Sequence, residues 1–203
     1  MLWDFGGVIL ESPFDGFARY EEERGLASGF LRGVIATDSD TNAWARLERG
    51  EVDVAEFTEL FEHECRAAGG TIDGAAVLAA LTGRPRPEMV EAVRRCAERL
   101  PTGLVTNNFT LGGSGEARPE LDAILSLFHV VVESSKVGLR KPDPRIYELA
   151  CKELGITPAG TVLLDDLGIN LKPARAMGMT TIKVVDPASA LRELEGALGF
   201  PLG

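Results

Sequence analysis

The sequence predicts an α/β protein: a parallel sheet flanked by helices, with an all-helical block inserted near the start of the chain. Three observations carry that reading. From about Pro101 onward, short apolar runs alternate with helix-like stripes. Residues 12–88 carry helical stripes and no convincing strand. Two apolar runs far apart in the chain, Met1-Leu2-Trp3 and Val162-Leu163-Leu164, each end on aspartate: Asp4 in one case, Asp165-Asp166 in the other. Alternating strands and helices imply a parallel sheet with right-handed crossovers. Ligands bind such sheets at the carboxyl ends of the strands.

The first strand is Met1-Leu2-Trp3. Only three residues precede Asp4, against about five or six in an ordinary strand, so either this strand is unusually short or the natural start lies upstream. In the inserted block, Phe57, Leu60, Phe61 and Cys65 form one helical stripe. Thr102–Thr106 reads as a buried strand, Leu111–Gly115 as a flexible Gly-rich loop, Pro119–Leu127 as a helix and His129–Val132 as the next strand. Asp143-Pro144 opens a helix well, because Asp caps and Pro is tolerated at the first helical position. Ile146, Leu149, Ala150 and Leu154 give that helix its apolar face. Strand Thr161–Leu164, helix Asn170–Met177 closed by Gly178, and strand Thr180–Val185 follow, and Asp186-Pro187 caps a last helix. The expected organisation is a Rossmann-like core of residues 1–11 and 89–203, with residues 12–88 inserted as a helical cap.

Composition narrows the function. The chain has 203 residues, 45% of them hydrophobic, and a net charge of −10. With no basic cluster, nucleic acid and anionic membrane surfaces are not expected partners. No run approaches the roughly 18 apolar residues of a membrane helix, and no basic-then-apolar leader is evident. Cys65, Cys96 and Cys151 are odd in number and widely spaced, which fits core residues in a reducing cytoplasm rather than a disulfide framework or a zinc site. Trp3 and Trp44 are expected to pack, and His63 and His129 to be structural.

Four segments fall at or just beyond expected strand ends: Asp4-Phe5-Gly6-Gly7, Thr106-Asn107-Asn108, Val137 to Pro144, and Asp165 to Asn170. Together they offer a carboxylate nucleophile, a hydroxyl and amide, a fixed cation in Lys141, and a second acidic pair. That set suits phosphoryl transfer to an aspartate, with Mg²⁺ between the acids and the phosphoryl oxygens. Asp4-Phe5-Gly6 also spells the metal-binding tripeptide of protein kinases, but the catalytic loop that should precede it is missing.

The runs Ser134-Ser135-Lys136-Val137-Gly138-Leu139-Arg140-Lys141-Pro142-Asp143-Pro144-Arg145-Ile146-Tyr147 and Leu164-Asp165-Asp166-Leu167-Gly168-Ile169-Asn170-Leu171-Lys172-Pro173-Ala174-Arg175 carry a specific resemblance. Over nearly its whole length the chain resembles the haloacid dehalogenase-like (HAD) superfamily. Within it, the chain looks like the helical-cap branch that includes the amino-terminal phosphatase domain of soluble epoxide hydrolases. The resemblance implies that Asp4 is nucleophile and metal ligand, and that Thr106 and Asn107 bind phosphoryl oxygens. It also implies that Lys141 neutralises charge and that Asp166 ligates Mg²⁺ directly with Asp165 close behind. The Gly6 carbonyl is a further candidate metal ligand.

Gly6 is also the departure, since the phosphatases of this superfamily usually carry there an Asp that protonates the leaving oxygen and then activates water. Glu11, Asp15 and His63 are candidates to replace it. The implied activity is Mg²⁺-dependent hydrolysis of a small phosphorylated metabolite, and the alternative is a weak or silent phosphate-binding protein. Dehalogenation fits less well, because dehalogenases need no Mg²⁺ while this chain keeps Asp165 and Asp166. Phosphonate cleavage through a cap lysine fits worse, as residues 12–88 contain no lysine.

Overall fold

The computed structural model describes residues 1–81, 83–108 and 119–202. Five parallel strands form one sheet in the order β3-β2-β1-β4-β5. They are β1 (Leu2–Trp3), β2 (Gly103–Thr106), β3 (Val130–Glu133), β4 (Val162–Asp165) and β5 (Thr180–Lys183). The two-residue β1 lies at the centre, with Trp3 in register with Leu104 on one side and Leu164 on the other. Pairing continues one residue further, since the Asp4 N–H donates to the Leu164 carbonyl at 2.9 Å. A strand this short survives because both neighbours hold it.

Parallel sheets bury both faces, and side chains that alternate along each strand supply two cores. Trp3, Leu104, Leu164 and Ile182 face α6 (Pro87–Ala97), α7 (Pro119–Leu125) and α11 (Pro187–Leu198). Leu2, Val105 and Leu163 face α9 (Pro144–Leu154) and α10 (Gly168–Ala176). Between them, α8 (Ser134–Val137) is a single short turn after β3. Cys65, Cys96 and Cys151 are buried and free. His129 accepts the Thr102 N–H on its Nδ1 at 3.1 Å and so pins the start of β2.

The inserted block is helical, as expected: α1 (Pro13–Arg24), α2 (Phe30–Ala36), α3 (Ala43–Glu48), α4 (Val54–Ala67) and α5 (Gly74–Ala79). Ser12, Asn42, Asp53 and Asp73 cap four of these helices through side-chain oxygens. The block has its own core, in which Trp44 meets Phe57 edge-on at 5.5 Å and Phe57 stacks on Phe61 at 5.2 Å. It joins the sheet through two antiparallel linkers, where Glu11 N–H donates to Arg84 O and Arg86 N–H to Ile9 O.

Some details differ from the sequence reading. α6 carries Met89, Ala92, Val93 and Cys96 on one buried face, yet no element was expected there. β3 and β4 each run one residue later than expected, so Asp165 is the last residue of its strand rather than the residue beyond it. α10 begins at Gly168 because the Asp165 carboxylate accepts the Leu167 N–H at 2.9 Å and orders the preceding turn. The Gly-rich loop at Leu111–Gly115 lies outside the described residues. Among the described residues, no helix is long and apolar enough to cross a membrane.

Candidate active site

Because β1 is flanked by β2 and β4, the chain leaves three adjacent strands at Asp4, Thr106 and Asp165, although these residues are far apart in sequence. Lys141 reaches them from the loop between α8 and α9. Its ammonium lies 2.7 Å from Asp4 Oδ1 and 2.7 Å from Asp165 Oδ2, and its side chain is 1% exposed. Asp4 Oδ1 also accepts the Phe5 N–H at 2.7 Å. Asp165 is the better satisfied acid: beyond Lys141 and Leu167, it accepts the Asn170 amide on both oxygens, at 3.0 and 3.1 Å. Asp166 is half-buried beside them, and oxygens of Asp4, Asp165 and Asp166 lie within 4.8 Å of one another.

Three carboxylates around one ammonium leave a shortage of positive charge. Burial raises Asp4 to about 8; Lys141 opposes that, and Asp165 and Asp166 add to it. Burial and Asp165 together lift Asp166 to about 6. Burial alone would pull Lys141 down, but Asp165 and Asp4 outweigh it and hold the ammonium above its ordinary range. Lys141 therefore stays charged, and the deficit falls on the acids. A divalent cation fits this set of oxygens and would correct it.

Gly7 makes room for the cluster. Its φ is +76°, and a Cβ there would stand 2.3 Å from Asp166 Oδ2. Gly7→Ala is expected to cost about 1–2 kcal/mol through the backbone alone and to displace Asp166. Urea unfolding with an unchanged slope and a lower midpoint would show it. Gly6 is not constrained in this way: a Cβ there meets only Pro13, at 3.5 and 3.8 Å.

The remaining candidates divide. Thr106 is buried at the end of β2, and its hydroxyl has no hydrogen-bond partner among the described residues. The Asn107 side chain is turned to the Lys141 backbone, accepting its N–H at 2.8 Å and donating to its carbonyl at 3.0 Å. That amide clamps the lysine-bearing loop. Among the described residues, no hydrogen bond or ion pair joins Glu11, Asp15 or His63 to Asp4.

Glu48, at the end of α3, was not foreseen. Its carboxylate accepts from Trp44 Nε1 at 3.0 Å, Asn107 Nδ2 at 3.1 Å and Arg140 Nε at 2.6 Å. Arg140 also donates to the Ser39 carbonyl at 2.7 Å. The inserted helices are thus tied to both residues that flank or clamp Lys141. One local signal pointed here: Glu48 lies four residues after Trp44, which places an acid on the buried face of α3.

The sequence profile of haloacid dehalogenase-like hydrolases matches residues 1–178. The chain belongs to that family. This HAD-like hydrolase is 37% identical over 208 residues to acyl-CoA dehydrogenase family member 10 of Mus musculus, an alignment covering 100% of this chain and 19% of that protein. It is 33% identical over 219 residues to bifunctional epoxide hydrolase 2 of Mus musculus, covering 98% of this chain and 39% of that protein. The HAD-like chain thus spans well under half the length of these relatives. Its fold is similar to that of a HAD family enzyme from Bacteroides thetaiotaomicron crystallised with magnesium and inorganic phosphate. That likeness has a TM-score of 0.61 at 19% identity and covers 90% of this chain and 91% of the other.

Proposed function

We propose that this HAD-like hydrolase is a Mg²⁺-dependent phosphatase of a small phosphorylated metabolite, working through an aspartyl-phosphate. The observation that carries the proposal is the buried contact of Lys141 with both Asp4 and Asp165, with Asp166 beside them. Both contacts of the Asp4 carboxylate fall on Oδ1, so Oδ2 is the oxygen left to attack phosphorus. The new Oδ2–P bond forms as the ester P–O bond breaks, and the leaving oxygen, with no acid at Gly6 to serve it, takes its proton from solvent water. Water then attacks the same phosphorus, releasing inorganic phosphate and restoring the carboxylate. Lys141 balances charge on Asp4 and the entering phosphoryl group and the Thr106 hydroxyl orients that group, while the Asn107 amide holds the Lys141 backbone in place.

Asp4, Asp166 and the Gly6 carbonyl would hold Mg²⁺, with Asp165 behind them. When bound, the ion supplies the positive charge that three acids and one lysine lack, and it draws charge from the phosphoryl oxygens. The magnesium and phosphate in the Bacteroides enzyme support the choice of ion and substrate class. Residues 12–88 act as a cap over a core of 1–11 and 89–203, excluding water and setting specificity.

A screen of phosphorylated metabolites with Mg²⁺, run on the native protein beside Asp4→Asn, tests the proposal. Metal binding has its own readout. Mg²⁺ at about 100 times its Kd should stabilise the fold by about 2.7 kcal/mol, which corresponds to roughly 5–10 °C in Tm for a chain of this size. Asp166→Asn should abolish most of that gain. A second reading is favoured by Gly6: a silent protein that keeps the phosphate site. Tight Mg²⁺-dependent phosphate binding without turnover, unchanged by Gly6→Asp, would support it.

A further inference from the structure

Beside the acid cluster lies a cleft of about 490 Å³ whose wall includes Gly7 and Asp166. It opens between the first inserted helix and the carboxyl ends of β4 and β5, and its volume suits a small organic ligand. Three cations line it: Arg32 from the inserted helices, Arg86 from the returning linker and Lys183 from the end of β5. Arg86 acts on Asp166 of the same wall and offsets its charge, which leaves Arg32 and Lys183 to meet an anion from outside.

Outside the cleft, nine of the lysines and arginines form ion pairs among the described residues, Arg46, Arg49, Arg140 and Arg145 among them, and eight do not. None of the cleft cations forms an ion pair among the described residues. Two of them are nevertheless held in place. Arg86 donates to the Gly7 carbonyl at 2.9 Å, and the Arg32 guanidinium lies 4.2 Å from the centre of the Phe14 ring. The one carboxylate on the wall, Asp166, belongs to the acid cluster. The cleft is also apolar in part. Phe14 contributes a half-buried ring, while Ile169 and Val185 remain 61% and 78% exposed there. Large aliphatic side chains left open beside fixed cations suit a ligand that is apolar along its length and anionic at its end.

We infer that the cleft binds the leaving-group half of the substrate, and that this half is an apolar chain or ring bearing a second anion, a carboxylate or a phosphate. The inference rests on the phosphatase reading for the position of the first phosphoryl group, with Arg32 and Lys183 meeting the second anion.

The test uses phosphonates that cannot be hydrolysed, titrated calorimetrically into the native protein with Mg²⁺: hexylphosphonate, 6-phosphonohexanoate and hexane-1,6-bisphosphonate. A second anion is expected to tighten binding by about tenfold or more. The stronger of the two double-headed probes identifies the terminal group. In the double variant Arg32→Ala/Lys183→Ala, checked for an unchanged melting curve, the advantage should shrink to about threefold or less. Equal affinities for all three probes in the native protein would overturn the inference, as would an advantage that survives the double variant. Turnover of phenyl phosphate and 4-carboxyphenyl phosphate separates this result from the phosphatase reading. If both esters are cleaved alike and the phosphonates bind alike, the phosphatase stands and the second-anion site falls. If neither ester is cleaved and the double-headed probes still bind tighter, the site stands and the phosphatase falls.

Discussion

Asp4→Asn is expected to lower phosphoester turnover by about 10⁴-fold or more while the protein stays folded. The amide has nearly the shape of the carboxylate, so β1 keeps its place between β2 and β4. Lys141 keeps its 2.7 Å contact with Asp165 and is not left as a lone buried charge. What is lost is the nucleophilic oxygen. Release of p-nitrophenol from p-nitrophenyl phosphate in Mg²⁺, measured beside a melting curve, gives both halves of the expectation. A variant that keeps its rate within about tenfold of native would take the nucleophile's role from Asp4.

Gly6→Asp is expected to act in the opposite direction, raising kcat on alkyl phosphates by about 10²-fold and by as much as 10⁴-fold. General acid–base help of that size lowers the barrier by about 3–6 kcal/mol. The backbone permits the change, since Gly6 has no left-handed φ and a Cβ meets Pro13 at ordinary contact distance. The gain should be smaller on aryl phosphates, whose leaving groups need little protonation. Native rates that already match on alkyl and aryl esters would show that another group supplies the proton.

Much of this was legible in the sequence, for a physical reason. Strands buried on both faces are nearly all apolar, so an aspartate at the end of one stands out, as Asp4 and Asp165 do. The lysine-bearing loop reads easily too, because Asp143-Pro144 marks the start of the helix behind it. The α6 helix could have been read: Met89, Ala92, Val93 and Cys96 have helical spacing. Contacts made by folding were beyond reach. Glu48 meets Asn107 across 59 positions and Arg140 across 92, and no local pattern announces either. Gly7 needs to be glycine because of Asp166, a reason that exists only once β1 and β4 lie side by side.

The contact between Glu48 and the Lys141 loop has a thermodynamic consequence. One carboxylate on the inserted helices holds both Arg140 and Asn107, and Asn107 in turn holds the Lys141 backbone. The placement of the insertion and the placement of the lysine therefore share one free energy. Any ligand that draws the insertion onto the sheet helps set the ammonium beside Asp4. By reciprocity, a phosphoryl group seated at Asp4 strengthens the hold on the insertion by the same amount. Specificity at the rim and charge at the centre form a single equilibrium.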